Sequence, residues 1–389
     1  MLKISHLSVQ YNSDFRSRNF WWGSFLRSCW WKHTSPPHTE GTKPFILGGL
    51  SLEVQTGEFL VILGASGTGK TTLLRTIAGL KQPSEGEILI GGIQQNRLPP
   101  HRRDVAYVFQ SGGWYDHLTV QQHFEIDFSR RKTSRTPADW MERVGLSEFA
   151  DQNPPQLSGG QLQRLAIGRA LMRGKAILLL DEPLNQLDTV SRQQLLDLLR
   201  QIHQEGQTVV CVTHDQQDVL RLATRVAVLH GGVIQQVDTP QEIYETPQHV
   251  SVGMAIGVPS MEFFQHDALP GVEALRNRFL GSRNAIVGIR PRDWVLVKSD
   301  SSDRVQDRGL QKIVNEFETL HIQGRWGDHA FGDGQILGKV DTGLATVSAL
   351  LDAYEIGPDY LKGAMVSLRI NVRKVNWFDP QNGNRIDYP

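Results

Sequence analysis

The stretch GASGTGKTT, Gly64 to Thr72, fits the spacing G-x-x-x-x-G-K-[ST]. Its residue types suit one task, which is holding phosphates. Glycines let the backbone curl, so that successive N–H groups over Gly64, Ala65, Ser66, Gly67, Thr68 and Gly69 converge on phosphate oxygens. The start of the following helix adds favourable partial charge. Lys70 would reach the terminal phosphates of a nucleotide, the Thr71 hydroxyl would ligand magnesium, and Thr72 completes the turn into the helix. An accidental glycine turn is the alternative. Against it, the strand-like FLVIL precedes the loop and the apolar TTLLRTIAGL follows it, which is the context this motif requires.

Two further runs end in chemistry-bearing groups. AILLLDEP reads as a buried strand tipped by Asp181 and Glu182. Asp181 is placed to hold magnesium, often through water, and Glu182 to orient and deprotonate an attacking water. A pair of acids capping the next helix is the alternative for this strand taken alone. VVCVTHD ends a second buried strand in His214. A lone histidine is more often structural, but ligands of open α/β sheets bind at the carboxyl ends of strands. QLSGGQLQRLAIGRAL adds a second glycine turn, Ser158, Gly159, Gly160 and Gln161, entering a helix. By itself this is a helix-initiating turn with a serine cap.

The elements that must position these residues form a pattern. LKISHLSVQY and LSLEVQTGEFLVIL read as strand runs. From residue 158 onward, helix (QLQRLAIGRALM), buried strand (AILLLDE), helix (VSRQQLLDLLRQIHQEG), buried strand (TVVCVTH) and helix (DQQDVLRLA) alternate. That alternation predicts a parallel sheet covered on both faces. Residues 111–157 carry helical patterns broken by prolines. After about residue 235 short strand-like runs such as AIVGIRP, WVLV and MVSLRINVRKV lie between glycine and aspartate turns. They predict a separate, small all-β domain.

The bulk numbers set outer limits. At 389 residues the chain predicts two or three domains. Lys+Arg and Asp+Glu both number 41, which disfavours a dedicated nucleic-acid binder. No apolar run reaches roughly 18 residues, so no spanning helix is expected, and the N-terminus lacks the apolar core of a signal peptide. Cys29 and Cys211 are the two cysteines, which suggests neither a disulfide framework nor a zinc site and fits a reducing cytoplasm.

Taken together, the motifs resemble those of the ATP-binding subunits of ABC transporters. In that family LSGGQ, here Leu157 to Gln161, precedes the acidic strand that ends at Asp181. The resemblance implies a role for each matching position. Gln110, in VFQSGGWYDHLTV, matches the glutamine whose loop touches magnesium, the attacking water and the membrane partner. Asp188, in LNQLD, matches the aspartate of the loop after the acidic strand. His214 matches the switch histidine that senses the γ-phosphate, and Tyr11 sits where an aromatic ring stacks on adenine. Two positions depart from the pattern. Asn185 stands where serine is common, and Asp116 where a proline usually precedes the histidine of the following loop.

The resemblance implies an α/β P-loop NTPase domain with a parallel sheet, an antiparallel β subdomain and a helical subdomain, over residues 1–235. The helical part covers about 111–165, linker helices 236–260, and a small OB-like regulatory or dimerisation domain 261–389. It implies ATP and Mg2+ as ligands and a dimer, of two identical chains or with a related ATPase subunit. In that dimer Ser158 to Gln161 of one copy face the phosphate held at Gly64 to Thr72 of the other. Two transmembrane permease subunits, a solute-binding protein acting indirectly and the cytoplasmic face of the inner membrane complete the expectation.

VDTPQEIYETPQHVSVGMAIGVPSMEFF, VGIRPRDW and NWFDPQNGNRI are similar to importers of the maltose and glycerol-phosphate type, with Glu262 replacing the usual asparagine. A carbohydrate or polyol solute is therefore expected, with iron or polyamine as the alternative. A soluble ABC-type ATPase acting on nucleic acid is a different class, which usually carries two cassettes per chain.

The run FWWGSFLRSCWWKH, residues 20–33, belongs to an insertion at about 12–45. Trp22, Phe25, Leu26, Cys29 and Trp30 fall on one helical face, beside Arg16, Arg18, Arg27 and Lys32. Three readings stay open: a loop folded back on its own domain, a membrane or permease contact, and disorder.

Overall fold

The computed structural model describes residues 1–10, 45–110, 112–129, 135–281, 283–297, 319–353 and 362–387. Tyr11 and residues 12–44 of the insertion lie outside them. The chain divides into two units, Met1–Pro240 and Gln241–Pro389.

In the first unit, β1 (Leu2–Gln10), β2 (Phe45–Val54) and β3 (Phe59–Leu63) precede α1 (Lys70–Ile77). Next come β4 (Glu85–Ile90), β5 (Ile93–Gln94), β6 (Val105–Val108), α2 (Val120–Ser129), α3 (Pro137–Arg143) and α4 (Gly159–Met172). The unit ends with β7 (Ile177–Asp181), α5 (Thr189–Gln204), β8 (Thr208–Thr213), α6 (Gln216–Leu222), β9 (Arg225–His230) and β10 (Val233–Asp238).

One sheet is antiparallel with order β2-β1-β4-β5; the other has order β10-β9-β3-β8-β7-β6. In the second, β3, β6, β7, β8 and β9 run parallel and only β10 is antiparallel to its neighbour. Every residue of β3, β7 and β8 is buried. This explains their unbroken apolar runs, each large apolar side chain contributing roughly 1.5–3 kcal/mol on burial.

The run LSLEVQTGEFLVIL, which reads as one stretch, is split into β2 and β3 and shared between the two sheets. Gly57 takes φ 76°, and the Glu58 carboxylate accepts from the Gln55 N–H at 2.6 Å, closing a tight corner. α1 is anchored at its far end by Arg103, fully buried, whose guanidinium donates to the carbonyls of Thr76 and Ile77 at 2.9 and 2.8 Å. Those are carbonyls that a helix end otherwise leaves without partners. α2, α3 and α4 pack on one another, with α2 and α4 also joined by a buried ion pair between Asp127 and Arg169 at 2.7 Å.

The second unit takes in all of α7 (Pro240–Glu245) but its first residue, then α8 (Val250–Ala255), β11 (Glu262–Gln265), α9 (Val272–Phe279), β12 (Ile286–Ile289) and β13 (Val295–Val297). β14 (Thr319–Gly332), β15 (Gln335–Asp341), β16 (Thr346–Asp352), β17 (Met365–Asn371) and β18 (Asn376–Phe378) follow. Among the described residues they form sheets of order β11-β12-β18 and β13-β17-β14-β15-β16. α9 adds a helix to the expected strands, burying Val272 and Leu275 in the unit's core. Arg290, of the GIRP run, is a clamp: it donates to the Tyr244 and Ile256 carbonyls and lies 3.8 Å from the Tyr244 ring centre. It thereby binds the chain around α7 and α8 to the start of the β region.

Candidate functional site

Because β3, β8 and β7 are parallel neighbours, their carboxyl ends share one edge. That edge gathers the loop Gly64–Gly69 after β3, His214 after β8, and Asp181 and Glu182 at the end of β7. The loop's shape is set by glycine. Gly67 and Gly69 take φ 83° and 103°. A Cβ on Gly64 would stand 2.5 Å from the Leu229 carbonyl oxygen and 2.9 Å from Thr68 Oγ1. Ala65, Ser66 and Gly67 are exposed, while Thr68 Oγ1 donates to the Ala65 carbonyl at 2.9 Å and closes the curl.

Lys70 opens α1 and is 5 % exposed. Its ammonium donates to the carbonyls of Gly64 and Ala65 at 2.7 and 3.1 Å and lies 3.8 Å from Glu182 Oε1. Burial lowers its pKa, with the charges of Glu182 and Asp181 opposing. Thr71 Oγ1 donates to Asp181 Oδ1 at 2.9 Å. Thr72 lends its carbonyl to Thr76 Oγ1 inside the helix. Thr71 and Asp181 thus form an all-oxygen pair of the kind a hard divalent cation takes. Among the described residues no cluster of three or more His, Cys, Asp or Glu offers a full protein cage. Two protein oxygens, with phosphate and water supplying the rest, is how Mg2+ is usually bound.

Glu182 carries φ 48°, in the left-handed region, a conformation costing a non-glycine residue of order 1–3 kcal/mol and frequent at functional sites. Its N–H donates to the Val212 carbonyl at 3.0 Å, tying the strained residue to β8. Its Oε2 accepts from His214 Nδ1 at 3.1 Å and from Asn185 Nδ2 at 3.2 Å. His214 is held by the turn behind it, where Arg192 of α5 pairs with both Asp215 and Asp218.

Two residues in this network are absent from the sequence reading of the site. Tyr107, on β6, donates its hydroxyl to Asp181 Oδ2 at 2.7 Å. Burial raises its pKa, the hydrogen bond and charge of Asp181 add to the rise, and Arg75 opposes it. The phenol therefore stays a donor at neutral pH. Asn185 stands out in the sequence as a departure from the family pattern, but its contact with Glu182 is visible only in the fold.

The other motif residues stand differently. Gln110 is exposed just beyond β6, on the same edge as Asp181 through the β6–β7 pairing. Ser158 caps α4: its Oγ accepts from the Gln161 N–H at 3.3 Å, and the Ser158 N–H donates to Gln161 Oε1 at 2.7 Å. Gly160 has no room for a side chain, since a Cβ would stand 2.6 Å from Ser191 Cβ. Asp188 caps α5 through the Val190 and Ser191 N–H groups at 3.0 Å. The Ser191 hydroxyl first, and then these N–H groups, hold its pKa low. Ser158–Gln161 and Asp188 thus sit together, and among the described residues no hydrogen bond or ion pair links them to the Gly64–Thr72 loop.

Comparisons with known proteins place the chain in a family. The ABC transporter family profile matches residues 47–185. The sulfoquinovosyl glycerol transport ATP-binding protein of Agrobacterium fabrum is 40% identical over 266 residues, covering 63% of this chain and 74% of that protein. The sn-glycerol-3-phosphate import ATP-binding protein of Rhizobium meliloti is 41% identical over 284 residues, covering 70% and 81%. The trehalose import ATP-binding protein of Mycobacterium tuberculosis is 38% identical over 296 residues, covering 70% and 74%. Among solved structures, a dimeric post-hydrolysis ATP-binding cassette bound to ADP and Pi superposes with TM-score 0.50 at 27% identity, over 62% of this chain and 99% of that one. With the phosphate loop, the acidic strand end and the histidine on one sheet edge, the chain belongs to the ABC transporter family, as an ATP-hydrolysing subunit of its importer branch.

Proposed function

We propose that this chain drives uptake of a carbohydrate or polyol by closing and reopening a head-to-tail dimer around ATP. The convergence of Gly64–Thr72, Asp181, Glu182 and His214 on one sheet edge carries this reading. The loop N–H groups and Lys70 take the phosphates, the ammonium leaving the Gly64 and Ala65 carbonyls that it now contacts. Thr71 and Asp181, with Gln110 at the edge, would hold Mg2+, which would supply positive charge against the nucleotide's phosphates. Glu182 accepts a proton from water as its oxygen attacks the γ-phosphorus and ADP departs. His214 moves from Glu182 to the γ-phosphate. A Tyr11 ring stacks on the adenine.

The second half of the site comes from the other copy. Its α4 start, Ser158 to Gln161, presents N–H groups and a helix N-terminus to the γ-phosphate, with Asp188 beside it. ATP favours the closed state because it touches both copies there, so closure is a population shift set by differential affinity. Among the described residues no helix is long and apolar enough to cross a membrane. Passage through the membrane is proposed to fall to two permease subunits, with this chain peripheral on their cytoplasmic face. A solute-binding protein on the far side acts through them. The named solutes of the relatives, a sulfoquinovosyl glycerol, sn-glycerol-3-phosphate and trehalose, support a sugar or polyol cargo. The proposed boundaries are an ATPase domain over 1–235, linker helices over 236–260 and a regulatory or dimerisation domain over 261–389.

The test is purification of the tagged full chain from membranes. Two multi-span proteins should accompany it, and a solute-loaded binding protein should raise ATP turnover of the complex. A chain recovered without membrane partners, whose turnover answers to no binding protein, would overturn the import reading.

A further inference from the structure

Asp181 is 2 % exposed, yet both carboxylate oxygens have donors. Oδ1 accepts from Thr71 at 2.9 Å and Oδ2 from Tyr107 at 2.7 Å. The two donors differ in kind. Thr71 belongs to the phosphate loop and is itself placed as a metal ligand. Tyr107 comes from a different strand and contacts the opposite oxygen. We propose that Tyr107 is a positioning residue, whose hydroxyl locks the Asp181 carboxylate so that Oδ1 stays aimed at the metal side of the site. The proposal rests on the reading of Thr71 and Asp181 as the Mg2+ side.

The strand register shows why the tyrosine does this work. β6 lies beside β7 with Tyr107 opposite Leu179. Asp181 is two residues further along β7, so its side chain leaves the same face of the sheet. Two residues of strand rise and one strand spacing make a diagonal of about 8 Å, which the long tyrosine side chain helps to bridge with its hydroxyl leading. When the Thr71 hydroxyl turns its lone pair to a cation, its bond to Oδ1 is rearranged. The bond to Oδ2 is untouched, because Tyr107 takes no part in coordination. Tyr107 is then the constant partner that keeps the buried carboxylate from rotating. Outer partners of this type typically account for about 10–100-fold in metal affinity or activity.

The experiment is equilibrium binding of a fluorescent ATP analogue to the full chain, with Mg2+ titrated against a chelated baseline and no turnover required. Tyr107→Phe should leave chelated-baseline affinity unchanged and raise the Mg2+ concentration for half-maximal enhancement about tenfold, the lower end of that range. Mn2+ binding followed by electron paramagnetic resonance should weaken in parallel. Tyr107→Met, which fills the strand position without ring or donor, guards against an effect peculiar to phenylalanine and should shift the same way. A Mg2+ midpoint equal to wild type in both variants overturns the proposal. Asp181→Asn should abolish the Mg2+ enhancement. If it does not, the metal reading falls and the Tyr107 proposal falls with it, an outcome distinct from failure of Tyr107 alone.

Discussion

Replacing Glu182 by glutamine separates the chemistry of this site from its binding. The side chain keeps its shape, and its amide oxygen can still accept from Asn185 and His214, which now lie 3.2 and 3.1 Å from Oε2. What disappears is a negative charge able to take a proton from water. General-base assistance of this kind contributes about 10²–10⁴-fold, or ~3–5 kcal/mol of barrier, so turnover should fall by that factor. Binding should behave differently. Lys70 Nζ stands 3.8 Å from Glu182 Oε1, a gross attraction of about 4 kcal/mol at an effective dielectric of 20, much of it offset by desolvation. Removing the charge releases the ammonium to the phosphates, so ATP affinity should hold or rise. ATP should then trap a dimer that wild type passes through. Phosphate release at saturating Mg-ATP measures the first effect and light scattering with and without ATP the second. Wild-type turnover in the variant would refute the base assignment; loss of ATP binding together with turnover would refute the separation of roles.

Gly64→Ala places a methyl 2.5 Å from the Leu229 carbonyl oxygen, backbone that cannot swing aside; nucleotide binding should be lost, with about 1–3 kcal/mol of stability, measured by titration and urea unfolding. Asp127→Ala leaves the buried Arg169 guanidinium without its carboxylate, and the urea midpoint should fall by the equivalent of about 3–5 kcal/mol; an unchanged midpoint would refute a structural role for the pair. His123 is fully buried, its Nδ1 donating to the Thr119 carbonyl and its Nε2 accepting from the Tyr115 N–H. Burial lowers its pKa, Thr119 partly raising it, with Arg169 lowering and Asp127 raising it. The unfolded chain therefore takes up this proton first, so the stability from a neutral ring is present above about pH 6.5 and lost as pH falls toward the folded value. Urea midpoints at neutral and acid pH should diverge less in His123→Asn than in wild type, and equal divergence would refute the assignment.

The nucleotide chemistry was legible in sequence because its determinants are local. A phosphate loop is one continuous turn, and the positive φ of Gly67 and Gly69 is a local backbone demand, whereas Gly64 is kept bare by the Leu229 carbonyl of another strand. The parallel sheet was legible for the same reason, since strands buried on both faces leave no polar alternation. Legibility ends where pairing begins. Tyr107 looks like an interior residue of a short strand, and only the β6–β7 register brings it to Asp181. Asn185 was visible as a departure, but its partner lies across a turn at Glu182 whose positive φ no residue type announces. The corner at Gln55–Glu58 was hidden for a different reason: apolar alternation runs straight through it and only Gly57 hints at the change of sheet. α9 escaped because eight residues with two buried apolar positions carry too little periodicity to stand out among short strands.

The hydrogen bonds of a single chain also bear on why, on the proposed reading, two copies are needed. At the start of α4 the Gln161 N–H is taken by the Ser158 hydroxyl and the Leu162 N–H by the Ser158 carbonyl. Helix geometry gives the Gly159 and Gly160 N–H groups no partner of that kind. They are donors at the positive end of a helix, with no side chain of their own to cover them, and Gly160 is barred from having one by Ser191. Across the chain, the Lys70 ammonium answers the opposite need for now, by folding onto two carbonyls of its own loop and toward Glu182. The α4 start of one copy therefore holds donors suited to the γ-phosphate that the other copy's loop and Lys70 would carry. A γ-phosphate between them would satisfy both at once, and neither half offers that satisfaction alone. The energetic reason for closure is then the pairing of unspent donors with the charge of the nucleotide, and the reason for opening is the loss of that charge when the terminal phosphate leaves.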